Sequence, residues 1–321
     1  MTQSETKAEA ETEAQAEAEP AAWPEVDVVI ATRNRPELLA LALAAVVGQD
    51  YPGVVHTWVV FDQCPRDESV ASDDARRPVT AMGNSRTPGL AGARNSGVLA
   101  GAAPLVGFCD DDDEWLPTKL SEQVAELRRT GAPTSVTGIV VVYADHETPR
   151  VATRAELTLA NLVRNRVMAA HPSTVVVERS ALLGGIGLVD EEIPGSHGED
   201  YDWIIRAARH GSFAVVELPL VRVRWGQSMF SQRWATIVSA TDYWLGKHPE
   251  FHRDKRALAR LQGQRAFALA AMHDPRARKA IATTVRTRPA EKRAWLAAAV
   301  ALRVVSAERL MDLAHRRGHG I

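Results

Sequence analysis

The chain has 321 residues, of which 45% are hydrophobic and 24% charged, and its formal net charge is −2. These values are typical of a globular protein with a sizeable core, and the near-zero net charge gives no whole-chain argument for a nucleic-acid or membrane partner. Two cysteines without metal-type spacing exclude a disulfide framework. The sequence contains no run of 18 apolar residues, which argues against a spanning helix.

The two ends of the chain carry opposite charge. Residues 1–25 hold seven Glu and one Lys in an Ala/Glu repeat, whereas residues 247–321 carry an excess of eleven positive charges. Low hydrophobicity and like charge predict a disordered tail over residues 1–24, with a transient helix as the alternative. The N-terminus lacks the basic and apolar regions of a secretory signal, so we expect a cytoplasmic protein.

The first elements form a β-α-β unit. VDVVIAT (26–32) is typical of a buried strand, and the apolar spacing after it predicts a helix with Asn34 as N-cap and Pro36 in its first turn. A second strand, HTWVVFD (56–62), follows the turn at residues 51–53. The connection is long enough for the two strands to pair in parallel.

Strand and helix patterns then alternate to the last third of the chain. We expect a glycine-rich helix (89–102), a strand (105–110), a helix ending at Gly131, a strand (134–144), a strand within 171–187, a helix within 196–211, one or two closing strands, and helices from about 235 onward. This alternation predicts an α/β fold with a mixed, mostly parallel sheet flanked by helices. The predicted units are a domain over 25–233 and a basic helical extension over 234–321.

Four consecutive carboxylates, Asp110 to Asp113, follow the strand LVGFCD. In open α/β sheets ligands bind beyond the carboxyl ends of the strands, and clustered carboxylates there are costly without a cation. In an extended stretch Asp110 and Asp112 point the same way, so they offer oxygens to one hard divalent ion and leave room for a diphosphate. Asp113 is a candidate cap for the next helix.

A second acidic segment, GEDYDW (198–203), precedes a predicted helix. A carboxylate on a loop over a cleft can act as a general base, and Glu199, Asp200 and Asp202 are the candidates. The competing interpretation is that these acids only stabilise the N-terminus of the helix.

Four segments in order carry a family resemblance: VDVVIATRNRPELLALALAAVVGQDYP, WVVFDQCPRD, GLAGARNSGVLAGAAPLVGFCDDDDEWLPTKL and GEDYDWIIRAARHG. Together they cover about residues 26–230 and resemble the inverting glycosyltransferases of family 2, which have a GT-A fold. The order and spacing make the resemblance specific, whereas one segment alone is weak.

The resemblance implies roles for individual residues. Donor binding falls to Ala31, Thr32, Arg33 and Asn34 at the nucleotide edge, to Asp62 at the base, and to Arg94, Asn95 and Asp111. It implies that Asp110 and Asp112 hold Mg²⁺ or Mn²⁺ on the diphosphate, that Asp200 is the catalytic base, and that Glu199, Trp203 and His171 lie on the acceptor side.

The resemblance therefore implies a metal-dependent inverting glycosyltransferase acting in glycan or cell-envelope polysaccharide synthesis. A UDP-sugar is the favoured donor, and the acceptor is a glycan, a lipid-linked glycan or a small molecule. The alternatives are a sugar-nucleotidyltransferase and a non-catalytic sugar-nucleotide-binding protein. The former normally shows a Gly-rich, basic signature after the first strand, which ATRNRP lacks.

Three segments depart from the family pattern or leave alternatives open. The second strand ends in Phe61-Asp62-Gln63-Cys64 rather than in paired acids, which bears on the nucleotide preference. The loop VRWGQSMFS (223–231) lacks the His found in many relatives, although Gln227 or Ser228 could contact the diphosphate. The C-terminal helices either pack on the domain or a dimer partner or lie peripherally at the inner face of the membrane. No nucleic-acid motif accompanies their basic residues, so we expect no nucleic-acid partner.

Overall fold

The computed structural model of the protein describes residues 22–143, 146–224 and 234–316. The predicted Ala/Glu tail up to residue 21 lies outside these ranges, as do Gln227 and Ser228 of the loop after the last strand.

One mixed sheet organises the described residues. Its strands are β1 (Val26–Thr32), β2 (Val55–Phe61), β3 (Val79–Gly83), β4 (Leu105–Asp110), β5 (Asp113–Trp115), β6 (Thr134–Tyr143), β7 (His146–Arg150), β8 (Val175–Glu178) and β9 (Phe213–Arg224). They lie in the order β3-β2-β1-β4-β8-β6-β9-β5, and β7 pairs with β6. The pairs β2–β3, β1–β2, β1–β4 and β6–β9 are parallel, while β4–β8, β6–β8, β6–β7 and β5–β9 are antiparallel.

Helices cover the sheet and continue beyond it. They are α1 (Pro36–Val47), α2 (Leu90–Ala100), α3 (Lys119–Thr130), α4 (Leu159–Arg164), α5 (Glu199–His210), α6 (Trp234–Lys247), α7 (Glu250–Arg253), α8 (Lys255–Ala271), α9 (Ala277–Thr287), α10 (Lys292–Ala301) and α11 (Ala307–Arg316). No helix in the described part of the chain has the length and apolar character needed to cross a membrane.

The sheet is buried on both faces, as β1 illustrates. Val26, Val28 and Ile30 belong to the apolar cluster that also contains residues of α1 and α3, whereas Val29 and Ala31 belong to the cluster with residues of α2 and α5. Successive side chains of a strand point to opposite faces, so a strand covered on both sides reads as a continuous apolar run. The strand VDVVIAT is therefore confirmed at residues 26–32.

Helix α2 lies unusually close to β1. A Cβ added at Gly97 would come within 2.5 Å of the Val29 side chain, so only glycine permits this approach. The close contact places Arg94 and Asn95, which precede Gly97 on the same helix, against the carboxyl end of the central strands.

The C-terminal helices pack on the sheet domain through α5. Tyr201 and Ile205 of α5 share an apolar cluster with Trp244, Phe251 and Leu261 of α6, α7 and α8. A further cluster joins α8 to α9, α10 and α11. Packing is therefore one role of the basic helices.

Several local predictions are wrong. Asn34 does not cap α1: its φ is +54°, and Arg35 occupies the N-cap position without a side-chain hydrogen bond. Strands β3, β5 and β7 have no counterpart among the predicted elements. Strand β5 contains three residues and pairs with β9, about a hundred residues further along the chain, so no local periodicity marks it.

Candidate active site

Three neighbouring parallel strands end at one edge of the sheet. Strand β1 ends at Thr32, β2 at Phe61 just before Asp62, and β4 at Asp110. The strand order β2-β1-β4 brings these ends side by side. The predicted donor-side residues Thr32, Asp62 and Asp110 therefore lie at the edge where ligands bind in open α/β sheets.

Asp62 is held by a ring of donors. Its carboxylate accepts hydrogen bonds from Asn84 Nδ2 at 2.8 Å, from Gln63 Nε2 at 2.9 Å and from the Gly89 amide at 3.1 Å. Burial acts to raise the pKa of Asp62, but these hydrogen bonds outweigh it and lower the pKa. The side chain is thus an ionised acceptor held in a fixed orientation.

The outer part of the acidic cluster faces β1. Asp111 accepts a hydrogen bond from Thr32 Oγ1 at 2.8 Å, and Arg35 Nη1 bridges Asp111 and Asp112 at 3.0 Å each. Burial raises the pKa of Asp111, and burial together with Asp110 and Asp111 raises that of Asp112. Arg33 and Asn34, by contrast, are exposed beside this group.

The inner part of the cluster faces the segment after α4. One ligand atom from each of Asp110, Asp113 and His171 lies within 4.8 Å of the other two, a group that could hold a metal ion. Burial raises the pKa of Asp113 well above its ordinary value, and Asp110 raises it further. Burial lowers the pKa of His171, which favours the neutral imidazole that binds metals. A divalent cation would offset the repulsion between Asp110 and Asp113, which is the second cause of the raised pKa of Asp113.

The predicted helix-capping role of Asp113 is wrong. Asp113 lies in β5 with its side chain buried, and it accepts a hydrogen bond from Ser173 Oγ at 2.5 Å. The same hydroxyl oxygen accepts a hydrogen bond from the backbone N–H of Asp110 at 3.0 Å. Helix α3 begins after Thr118 without a side-chain cap. Asp113 therefore fixes the end of β4 instead of the start of a helix.

Arg94 joins the donor side to the second acidic segment. Its guanidinium is buried and donates to Asp110 Oδ1 and, at 2.7 Å, to Glu199 Oε1. Burial alone would lower the pKa of Arg94, but Asp110 and Glu199 raise it above the ordinary value. Asn95 instead binds the backbone of Val189 and the carboxylate of Glu191, so in this structure it holds the loop before α5.

Glu199 and Asp200 have opposite protonation tendencies. Burial raises the pKa of Glu199 to about 7, despite the nearby Arg94. Burial also acts to raise the pKa of Asp200, but Arg166 and His171 outweigh it and lower the pKa. Arg166 Nη2 donates to Asp200 Oδ2 at 2.7 Å. Of the two, Asp200 is thus the more fully ionised at neutral pH, the state in which a carboxylate can accept a proton.

Two other predicted residues are buried. Asp202 is fully buried and bonds Arg206 Nε at 2.9 Å, Lys247 Nζ at 2.7 Å and His248 Nε2 at 2.8 Å, so it is excluded as a base. Trp203 is 4% exposed and donates to the Gly187 carbonyl at 3.1 Å. It lines a small cavity with Arg94, Glu199 and Asp200.

Sequence reasoning missed three residues that organise the site: Arg35, Arg166 and Ser173. Arg35 directly follows the predicted nucleotide-edge residues 31–34, and that position was a usable signal. Arg166 and Ser173 lie in a segment without regular pattern, 34 residues before Asp200 and 60 residues after Asp113 respectively. No local signal connects them to their partners.

Comparison with known proteins identifies the class. Residues 27–182 match the family model for glycosyl transferase family 2, a range that contains the acidic cluster and ends before Glu199 and Asp200. Residues 27–182, just under half of the chain, thus belong to glycosyltransferase family 2.

Curated relatives share part of their length with this chain. It is 30% identical over 138 residues to the succinoglycan biosynthesis protein ExoO of Rhizobium meliloti (strain 1021), covering 42% of this chain and 38% of that protein. It is 25% identical over 206 residues to ExoU of the same organism, covering 60% and 59%. The chain thus spans between about two fifths and three fifths of these relatives.

Solved structures show the same fold. S. aureus TarS (residues 1–349) in complex with UDP-GlcNAc matches with a TM-score of 0.60 and 16% identity, over 92% of each chain. The mannosyltransferase PcManGT from Pyrobaculum calidifontis, in complex with GDP-Man and Mn²⁺, matches with a TM-score of 0.55 and 18% identity, over 91% of this chain and 84% of that one. At such identities the likeness establishes the GT-A fold.

Proposed function

We propose that this chain is a metal-dependent inverting glycosyltransferase that moves a sugar from a nucleotide-diphosphate sugar to an acceptor hydroxyl. The observation that carries the proposal is the pairing of two carboxylate sites across Arg94: the strand-end cluster around Asp110 and the helix-end pair Glu199–Asp200. One site suits a cation and a diphosphate, and the other suits proton removal.

The donor would lie along the edge formed by β1, β2 and β4. Asp62 would accept a hydrogen bond from the nucleotide base, while Ala31, Thr32, Arg33 and Asn34 line the nucleotide edge. A nucleotide sugar fits the relatives, since the TarS structure contains UDP-GlcNAc and the PcManGT structure contains GDP-Man. Of these donor classes we favour a UDP-sugar.

Asp110 and Asp112 would hold Mg²⁺ or Mn²⁺, with Asp113 and His171 close enough to Asp110 to share the ion. Bound there, the ion would supply Lewis-acid stabilisation of charge on the diphosphate. The site fits such an ion, because oxygen ligands of Asp110 and Asp113 converge with the neutral imidazole of His171, and because burial together with neighbouring carboxylates raises the pKa of Asp112 and Asp113. Asp111 would keep its contacts to Thr32 and Arg35.

Asp200 would remove the proton of the acceptor hydroxyl as that oxygen attacks the anomeric carbon. Attack from the face opposite the diphosphate inverts the configuration in one displacement. Arg94 would keep Asp110 and Glu199 in place while charge moves between the two sites, and the buried Trp203 would support the base from behind. Glu199 and His171 are the residues proposed for the acceptor side.

The relatives support a proposal for the pathway and the acceptor. ExoO and ExoU are succinoglycan biosynthesis proteins, and a further match is a putative colanic acid biosynthesis glycosyl transferase, WcaA of Escherichia coli (strain K12). We infer a role in polysaccharide synthesis, with a glycan or lipid-linked glycan as acceptor.

Substitution of Asp200 by Asn tests the base. We expect transfer to fall by about 10²–10⁴-fold, the usual contribution of a general base, while binding of the nucleotide sugar in a thermal-shift assay stays unchanged. Asp242→Asn, at a half-exposed carboxylate paired with Arg265, is the matched control. Retention of near-full transfer by the Asp200 variant would remove Asp200 from this role.

Chelation tests the ion. Treatment with EDTA should abolish transfer, and Mn²⁺ or Mg²⁺ should restore it, because the acidic cluster then regains a counter-charge. Undiminished transfer in EDTA would contradict the metal-dependent part of the proposal. A donor-hydrolysis assay separates an enzyme from a non-catalytic sugar-nucleotide-binding protein.

A further inference from the structure

Arg166 covers the proposed base. It lies two residues after α4, and its guanidinium donates to Asp200 Oδ2 at 2.7 Å. The side chain of Arg166 is 53% exposed, whereas that of Asp200 is 13% exposed. Of the two partners Arg166 is therefore the one that can move outward into solvent.

This ion pair opposes proton removal. A cation in contact with a carboxylate favours its ionised form and so weakens it as a base. The guanidinium also occupies one of the two oxygens that an acceptor hydroxyl must reach. Proton transfer to Asp200 is therefore favoured when Arg166 releases the carboxylate as the acceptor arrives, and a group that competes for a guanidinium is itself an anion.

The surroundings of Arg166 favour an anion. Residues 164–166 and 253–256 contain five Lys or Arg and one acid, Asp254. The two segments touch, since Arg256 Nη2 donates to Asn165 Oδ1 at 3.2 Å and Arg164 Nε donates to Asp254 Oδ2 at 2.5 Å. Arg256 is exposed, as are Arg253 and Lys255. An excess of positive charge beside a cleft raises the local concentration of anionic ligands.

We propose that Arg166 recognises an anionic group of the acceptor, a phosphate or a carboxylate, and that binding of this group draws Arg166 away from Asp200 and frees the base. The inference rests on the proposed role of Asp200. In the freed site the acceptor O–H bond breaks and its proton passes to Asp200 Oδ2. The acceptor oxygen bonds to the anomeric carbon, and the electron pair of the broken carbon–oxygen bond leaves with the diphosphate.

A binding experiment tests the recognition without turnover. The probes are inorganic phosphate, methyl glucuronide and the neutral methyl glucoside, titrated with the donor site filled by Mn²⁺ and the nucleoside diphosphate that stabilises the protein most. Arg166→Gln should weaken binding of at least one anionic probe five-fold or more. Arg129→Gln, at an exposed arginine paired with Glu126, should leave the affinities unchanged.

The two anionic probes separate the sources of the charge. Preference for phosphate indicates a phosphorylated or diphosphate-linked acceptor, and preference for the glucuronide indicates an acidic sugar. Equal affinities of the wild type and Arg166→Gln for both anions would overturn the proposal, as would tight binding of the neutral glucoside that is lost in the variant.

Kinetics test the release of the base. With an anionic acceptor, Arg166→Gln should lose at least ten-fold in kcat/KM, and Arg166→Lys should recover part of the loss. Hydrolysis of the donor by water should instead rise two-fold or more in Arg166→Gln, because Asp200 is no longer paired. A merely structural role predicts that transfer and hydrolysis fall together, and that outcome would overturn the inference.

The two proposals fail in different ways. If Asp200→Asn transfers sugar at the wild-type rate, the base assignment fails, whereas the loss of anion binding in Arg166→Gln is still measurable. If Asp200→Asn is inactive and Arg166→Gln behaves like the wild type towards both anions, the assignment of the base stands and the role of Arg166 falls.

Discussion

The two halves of the candidate site are built in different ways. On the donor side four consecutive residues, Asp110 to Asp113, leave one strand end, and the partners of Asp111 and Asp112, namely Thr32 and Arg35, come from the end of the neighbouring strand and the residues just after it. On the acceptor side Glu199 and Asp200 are held by residues from distant segments, namely Arg94 in α2 and Arg166 after α4, and Trp244 in α6 packs against Gly198 just before them.

Because of this difference, the two halves of the site depend on different parts of the fold. The donor side depends on the register of β1 and β4, a property of the central sheet. The acceptor side depends on the packing of α5 against the C-terminal helices, where Tyr201 contacts Trp244 and Phe251. We therefore expect changes in α6 to affect proton removal and to leave the nucleotide site intact. Arg94 contacts both halves and is the exception.

Arg94→Met should have the largest effect on stability. It leaves Asp110 and Glu199 buried without their cation, and removal of one partner of a buried ion pair typically costs 3–5 kcal/mol. Urea unfolding measures the loss. Arg86→Met, which removes an exposed partner of Glu191, is the control, with an expected cost of about 0–1 kcal/mol. Similar costs for the two variants would show that Arg94 does not link the halves.

Lys119→Met should change how the free energy of unfolding depends on pH. Lys119 is fully buried, donates to Gln123 Oε1 at 2.6 Å and lies 3.7 Å from the Trp115 ring centroid. Burial lowers its pKa to about 7. In the unfolded chain this lysine titrates near about pH 10.4. Between about pH 7 and 10 the unfolded state therefore binds more protons than the folded state. The free energy of unfolding of the wild type then rises with pH by up to ~1.4 kcal/mol per pH unit.

Urea unfolding at several pH values gives the difference between the two proteins. The wild type should gain stability relative to Lys119→Met as the pH rises from 7 to 10, because only the wild type has a lysine to deprotonate at this position. Lys279→Met, at an exposed lysine, should follow the wild-type curve. A constant difference between the wild type and Lys119→Met would show that Lys119 is charged in its buried position.

Gly198→Ala tests the dependence of the acceptor side on α6. Gly198 has a φ of +74°, and an added Cβ would lie 2.4 Å from Trp244 Cζ2, so either the loop or the tryptophan must shift. Such strain costs about 1–3 kcal/mol. Because Asp200 follows two residues later, transfer should fall by up to ~10²-fold while nucleotide binding is retained.

A matched control for this substitution lies on α6 itself. Gly246→Ala places a methyl group where nothing lies within 4 Å, so stability should stay the same or rise by up to about 1 kcal/mol. Equal loss of nucleotide binding and transfer in Gly198→Ala would contradict the separation of the two halves.

The sequence predicted the position of the strand-end residues well because the determinants of that position are local. Apolar runs place β1, β2 and β4, and an acidic residue directly after a buried strand must lie at the sheet edge. Asp113 escaped this logic because its role depends on pairing of β5 with β9 and on Ser173, which are distant in sequence.

The acceptor side was predictable only as a motif. The resemblance selected Asp200, but sequence alone left Asp202 as an equal candidate, since both precede or begin the same helix. Burial distinguishes the two, because Asp202 is enclosed by Arg206, Lys247 and His248. Lys247 is the last residue of α6, and His248 follows it. The contact of Arg166 with Asp200 was not predictable, because an irregular segment has no sequence pattern that indicates its neighbours in the fold.

Arg35→Gln should give the smallest effect and sharpen the account of the donor side. Arg35 binds Asp111 and Asp112 at 3.0 Å each, so its positive charge competes with a divalent cation for the same carboxylates. About a third of its side chain is exposed, and loss of such pairs costs at most about 1 kcal/mol of stability.

Affinity for Mn²⁺, measured by calorimetry, should instead rise by about two- to ten-fold in Arg35→Gln, because a cation a few ångströms away repels the ion by roughly 1 kcal/mol. Arg66→Gln, at an exposed arginine paired with Glu68, should change neither quantity. A fall in Mn²⁺ affinity would mean that Arg35 organises the carboxylates for the ion. The donor side would then depend on an arginine for its geometry, as the acceptor side does.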